Sequence, residues 1–118
     1  MHQFLPYAWF QGKCVPFEDA KVSIATHALH YGTGAFGGMR AIPDPQNSNS
    51  ILLFRADRHA RRLSQSARLL LTELSEAKII AALESILKVN RPKTPIYLRP
   101  FVYTSDLGIA PRLHNIET

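Results

Sequence analysis

The sequence predicts an α+β fold, a two-layer sandwich in which a mostly antiparallel sheet carries helices on one face. Short apolar or alternating runs bounded by glycine, proline and asparagine read as strands. Two consecutive segments in the second half repeat apolar residues at helical spacing. The order is strands, two helices, then a strand. At 118 residues the chain is expected to form one domain spanning 1–118.

The elements follow in order. Tyr7-Ala8-Trp9-Phe10 is apolar and aromatic, Gln11-Gly12 can turn, and Lys13-Cys14-Val15 returns, so residues 7–16 read as a hairpin ended by Pro16. Residues 27–35 read as a glycine-rich turn or irregular segment. Phe36 to Ile42 reads as a strand, weakened by Gly37 and Gly38. Residues 43–50 are a loop of proline, aspartate, glutamine, asparagine and serine. Ile51 to Phe54 then reads as a buried strand that closes a second hairpin.

Asp57 is placed to cap the first helix. Ala60, Leu63, Ala67, Leu70 and Leu71 form its apolar stripe. The second helix starts near Ser75, buries Ile79, Ile80, Leu83, Ile86 and Leu87, and stops at Asn90-Arg91-Pro92. Residues 95–104 form the best strand. Alternation places Ile96, Leu98, Pro100 and Val102 on one face and Tyr97, Arg99, Phe101 and Tyr103 on the other. Pro100 cannot donate to a ladder, which implies an edge or a bulge. An arginine among aromatics suits an anion site, because a guanidinium grips a carboxylate in a fork and the rings exclude water. A sheet face with one snorkelling arginine is an equal reading.

The bulk properties narrow the classes. The single Cys14 cannot form an internal disulfide, which fits a reducing compartment. No apolar run approaches membrane-spanning length. The N-terminus lacks the pattern of a secretory signal, so cytoplasm is the default expectation. Net charge is +5, with Arg55, Arg58, Arg61, Arg62 and Arg68 crowded into one segment. That segment reads as a solvated helix face, and no interleaving of basic and aromatic residues points to nucleic acid.

The densest stretch is His27 to Arg40, with four glycines, two histidines and two aromatics in fourteen residues. Gly32-Thr33-Gly34-Ala35-Phe36-Gly37 matches G-x-G-x-x-G by letter. It lacks the strand before it and the helix after it that a dinucleotide fingerprint requires. His27 and His30 have no cysteine or carboxylate cluster to complete a metal shell, so structural or hydrogen-bonding roles are expected. Cys14 reads as a packed thiol. Arg62 lies at the edge of the apolar stripe, where it could reach a ligand phosphate. Taken alone, it reads as solvated.

The series Tyr7-Ala8-Trp9-Phe10-Gln11-Gly12-Lys13, then Glu18-Asp19-Ala20-Lys21-Val22, then His27 to Arg40 closely resembles the N-terminus of the branched-chain aminotransferases, fold-type-IV enzymes that use pyridoxal phosphate. The resemblance runs from about Tyr7 to Gly108. It implies the small N-terminal domain of such an enzyme. In that family Tyr31 and Phe36 would belong to the apolar substrate pocket, the former commonly offered across a dimer interface. Arg62 would bind the cofactor phosphate. Tyr97 would line the site, and Arg99 would help receive the carboxylate of glutamate or 2-oxoglutarate. Gly37 stands where several members carry glutamate.

The resemblance implies a homo-oligomer acting on branched-chain amino acids and 2-oxo acids. The family's catalytic lysine lies in a second, C-terminal domain, and Lys13, Lys21, Lys78, Lys88 and Lys93 do not match it. The 118 residues alone are therefore not expected to transaminate. D-Amino-acid aminotransferases and aminodeoxychorismate lyase share the architecture. His-Ala-Leu-His-Tyr-Gly-Thr and the Tyr-x-Arg-Pro strand favour the branched-chain enzymes. A non-catalytic, self-associating domain with a vestigial site is the alternative of another class.

Overall fold

The computed structural model describes residues 4–47, 49–105 and 107. The chain runs β1 (Tyr7–Phe10), β2 (Lys13–Pro16), a 3-10 turn (Phe17–Asp19), α1 (His27–Tyr31), β3 (Gly34–Phe36), β4 (Met39–Pro43), β5 (Ile51–Leu53), α2 (Ala56–Leu69), α3 (Glu76–Asn90), β6 (Ile96–Leu98) and β7 (Phe101–Tyr103). All strand pairing among the described residues is antiparallel. The α+β class expected from the sequence is the observed one.

The first hairpin forms as expected, with Tyr7 paired to Pro16 and Phe10 to Lys13. Its turn uses two left-handed residues, Gln11 at φ 51° and Gly12 at φ 88°. That is the geometry a tight hairpin needs to match strand twist. Asn90 at the end of α3 holds the hairpin. Its Oδ1 accepts from Tyr7 N at 3.0 Å and its Nδ2 donates to Tyr7 O at 2.9 Å.

The central sheet is one ladder in a single register. Gly34 faces Tyr103, Phe36 faces Phe101, Met39 faces Leu98 and Ala41 faces Ile96. The ladder lapses between β3 and β4 and, opposite, between β7 and β6. There Gly37 N donates to Pro100 O at 3.0 Å, and Pro100 has no N–H to return the bond. The expected strand from Phe36 to Ile42 is thus two strands, and so is the expected strand over 95–104.

Three further expectations are corrected. Residues 27–31 form a short helix, closed by Gly32 in the left-handed region at φ 66°. The strand Ile51–Leu53 is an edge strand paired only with β4, so Leu52 and, just beyond it, Phe54 are exposed. Asp57 is not the cap of α2. Arg55 takes that position at φ 52° without a side-chain hydrogen bond, because the chain turns sharply out of β5. The aspartate sits in the first turn, where its charge suits the positive end of the helix.

The stripe of α2 is buried at Ala60, Leu63 and Ala67, but the helix ends at Leu69 and leaves Leu71 exposed at φ 57°. Ser75 caps α3, accepting from Lys78 N, and Ile79, Leu83 and Leu87 face inward. The core joins Ala60, Leu63, Ala67, Ile79 and Leu83 to Met39 and Val102, flanked by Ala35, Leu53 and Leu98. Both long helices therefore cover one face of the ladder. The opposite face carries Phe36, Arg40, Tyr97, Arg99 and Phe101, all exposed.

Candidate functional site on the open face of the ladder

The open face is built by alternation. Each residue that points away from Met39 and Val102 points toward solvent. Arg99 is seated among rings there. Its Cζ lies 4.4 Å from the centroid of Phe36 and 5.4 Å from that of Tyr97. Its Nε donates to Tyr97 Oη at 3.3 Å. That bond engages Nε, and the two terminal nitrogens are the fork a carboxylate accepts. The structure thus brings together Phe36, Tyr97 and Arg99, three of the residues singled out in the sequence.

Glycines make this face possible. A Cβ on Gly38 would lie 2.9 Å from two ring carbons of Tyr97, and one on Gly34 would lie 2.7 Å from Phe101 Cζ. The tip of each ring occupies space at a position with no side chain. Sequence reading missed this use of Gly34 and Gly38. The pairing register alone reveals which aromatic crosses which glycine. Arg40, noted in the sequence as the arginine of the glycine-rich stretch, pairs directly with Tyr97 on the same face.

Arg62 reaches the same break in the ladder from the other side. Its Nη2 is 4.0 Å from where a Cβ on Gly37 would stand, and it donates to His59 Nδ1 at 3.2 Å. Gly37 alternates with Gly38, so Arg62 and Arg99 approach the two-glycine step from its helix side and its open side. Arg62 is exposed and projects past bare backbone, a donor set that suits a phosphate.

Tyr31 stands apart on α1. Its ring is 4.7 Å from that of His27 and 6.3 Å from that of His30. Both histidines make hydrogen bonds, as expected. His27 Nδ1 is 2.8 Å from Thr33 Oγ1 and 3.2 Å from Thr104 Oγ1, and His30 Nε2 is 2.7 Å from Ile24 O. Cys14 is half-buried in the hairpin opposite Trp9. No helix among the described residues is long and apolar enough to cross a membrane.

No family model matches the chain, but individual known proteins do. The chain is 60% identical over 117 residues to a probable branched-chain-amino-acid aminotransferase of Synechocystis, a match covering 99% of this chain and 38% of the relative. It is 34% identical over 105 residues to the Escherichia coli branched-chain-amino-acid aminotransferase, covering 87% of this chain and 33% of that one. A crystal structure of the E. coli enzyme superposes with a TM-score of 0.84 at 31% identity, over 97% of this chain and 38% of that one. The branched-chain aminotransferase of the archaeon Thermoproteus uzoniensis, crystallised with norvaline, superposes with a TM-score of 0.83 at 28% identity, over 97% and 38%.

Fold and sequence together define an aminotransferase-type α+β module. Over nearly its whole length the chain is similar to the N-terminal part of branched-chain amino-acid aminotransferases. It spans between a third and two-fifths of the length of these relatives.

Proposed function

We propose that these residues form the small, substrate-side domain of a branched-chain amino-acid aminotransferase that moves an amino group between leucine, isoleucine or valine and 2-oxoglutarate. The carrying observation is the seat of Arg99 between Phe36 and Tyr97. A dual-substrate site must take both an apolar side chain and a second carboxylate. A cation wedged between exposed rings serves both, since the rings offer apolar surface and the fork binds the carboxylate when it comes.

In this reading Tyr31 and Phe36 shape the pocket for the branched side chain, and Tyr97 and Arg99 receive the substrate carboxylates. Arg62 holds the phosphate of pyridoxal phosphate beside the bare Gly37 backbone. When bound, that cofactor supplies the electron sink for the carbon that loses its proton. The catalytic lysine would come from a further domain, and a second copy of the chain would complete the site.

The test uses a protein of the relatives' full length containing these residues. It should convert L-leucine and 2-oxoglutarate to the branched 2-oxo acid and glutamate. Arg99→Ala should raise KM for 2-oxoglutarate far more than KM for leucine. Absence of transfer, or an equal change in both constants, would overturn the reading.

A further inference from the structure

A cluster of buried polar side chains lies away from the open face. His27 and Thr104 are essentially inaccessible, and Thr33 is 7% exposed. His27 Nδ1 meets both threonine hydroxyls, which also bond to one another. Thr104 N donates to Thr33 O at 2.9 Å, so this pair is the last rung of the central ladder. Ala28 N donates to Thr104 O at 3.3 Å, so the rung is tied to α1 as well.

A helix of five residues cannot hold its own shape in water. His27 is the only residue of α1 that is buried, and it is polar. Together with the Ala28 N–Thr104 O bond, the histidine fastens α1 to the domain. Its ring also packs at 4.7 Å against Tyr31, one helical turn later. Tyr31 itself is only partly covered. We propose that His27, Thr33 and Thr104 form a clasp that fixes the pose in which Tyr31 is presented, with His27 as its positioning residue. The clasp joins the aromatic on α1 to the strand that leads to Arg99 and Tyr97. That this pose governs substrate binding rests on the reading above.

The hydroxyls carry the test. Thr104→Val keeps the shape and removes one hydroxyl, whereas Thr104→Ser keeps the hydroxyl. The chain has four tyrosines, Tyr7, Tyr31, Tyr97 and Tyr103, so ring-labelled tyrosine gives four resolvable signals, that of Tyr31 assigned by its loss in Tyr31→Phe. Thr104→Val should move the Tyr31 signal and leave those of Tyr7 and Tyr97 in place, and Thr104→Ser should restore it. An unmoved Tyr31 signal in a folded Thr104→Val chain overturns the proposal. Should that variant fail to fold, the unmodified chain decides. Cross-relaxation between the His27 and Tyr31 ring protons is expected, and its absence overturns the proposal too.

In the intact aminotransferase, Thr104→Val should raise KM for leucine several-fold with kcat preserved. Equal loss in both constants would mark the clasp as merely structural. If the unmodified enzyme does not use leucine, the functional reading falls, while the tyrosine signals still test the clasp.

Discussion

Replacing Gly38 by alanine separates the architecture of the sheet from the arrangement on its open face. The new Cβ would meet Tyr97 Oη most closely and stand 2.9 Å from its Cε2 and Cζ. An ordinary carbon–carbon contact is about 3.5–4.0 Å, so the ring must retreat by roughly 1 Å or swing aside. Tyr97 is 56% exposed, and swinging aside costs little packing. What is lost is the bond from Arg99 Nε, about 0.5–1.5 kcal/mol, and the cation–π contact with Arg99, about 0.5–1 kcal/mol at an exposed site. Both belong at the low end because both groups are exposed. Removing a glycine from the unfolded chain returns about 0.4–1 kcal/mol. Net stability should therefore change by less than about 1 kcal/mol, while Arg99 loses the partner that orients it. Urea unfolding should show a nearly unchanged midpoint. The Arg99 Nε–H resonance should move toward that of a free guanidinium. A stability loss above about 2 kcal/mol would refute the reasoning, since Tyr97 would then be unable to move. So would an unmoved Arg99 signal.

Other outcomes follow from single contacts. Pro100→Ala supplies the missing donor opposite Gly37 and should let β6 and β7 run together, with the new amide protected in hydrogen exchange. Its gain of about 1 kcal/mol is largely cancelled by the looser unfolded chain. Asn90→Ala removes both bonds to Tyr7 and should cost about 1–3 kcal/mol, with exchange rising selectively across residues 7–16. Leu63→Ala, at a site 2% exposed between α2 and the sheet, should cost about 2–5 kcal/mol by chemical denaturation. In the full-length enzyme, Arg62→Ala should weaken cofactor retention on dialysis and leave the unfolding midpoint of this chain near its starting value.

Local chemistry decided much of this structure. Gln11-Gly12 could turn, Ser75 and Pro92 bracketed α3, and period-two alternation in residues 96–103 separated Val102 from Arg99. These signals act over a few residues, and the sequence displays them directly. Tertiary structure decided the rest, because it depends on partners distant in the chain. The helix from His27 to Tyr31 is held by Thr104, more than seventy positions away, whose hydroxyl meets the histidine and whose carbonyl accepts from Ala28 N. The strand 95–104 broke because Pro100 fell opposite Gly37. Ile51 to Leu53 lost its buried status by lying at an edge, and Asp57 lost the cap to Arg55 because a turn with Arg55 at φ 52° joins β5 to α2. Arg99 was visible in the sequence as an arginine among aromatics, equally an anion site or a snorkelling charge. Its seat against Phe36 came from the ladder register, which no local pattern encodes.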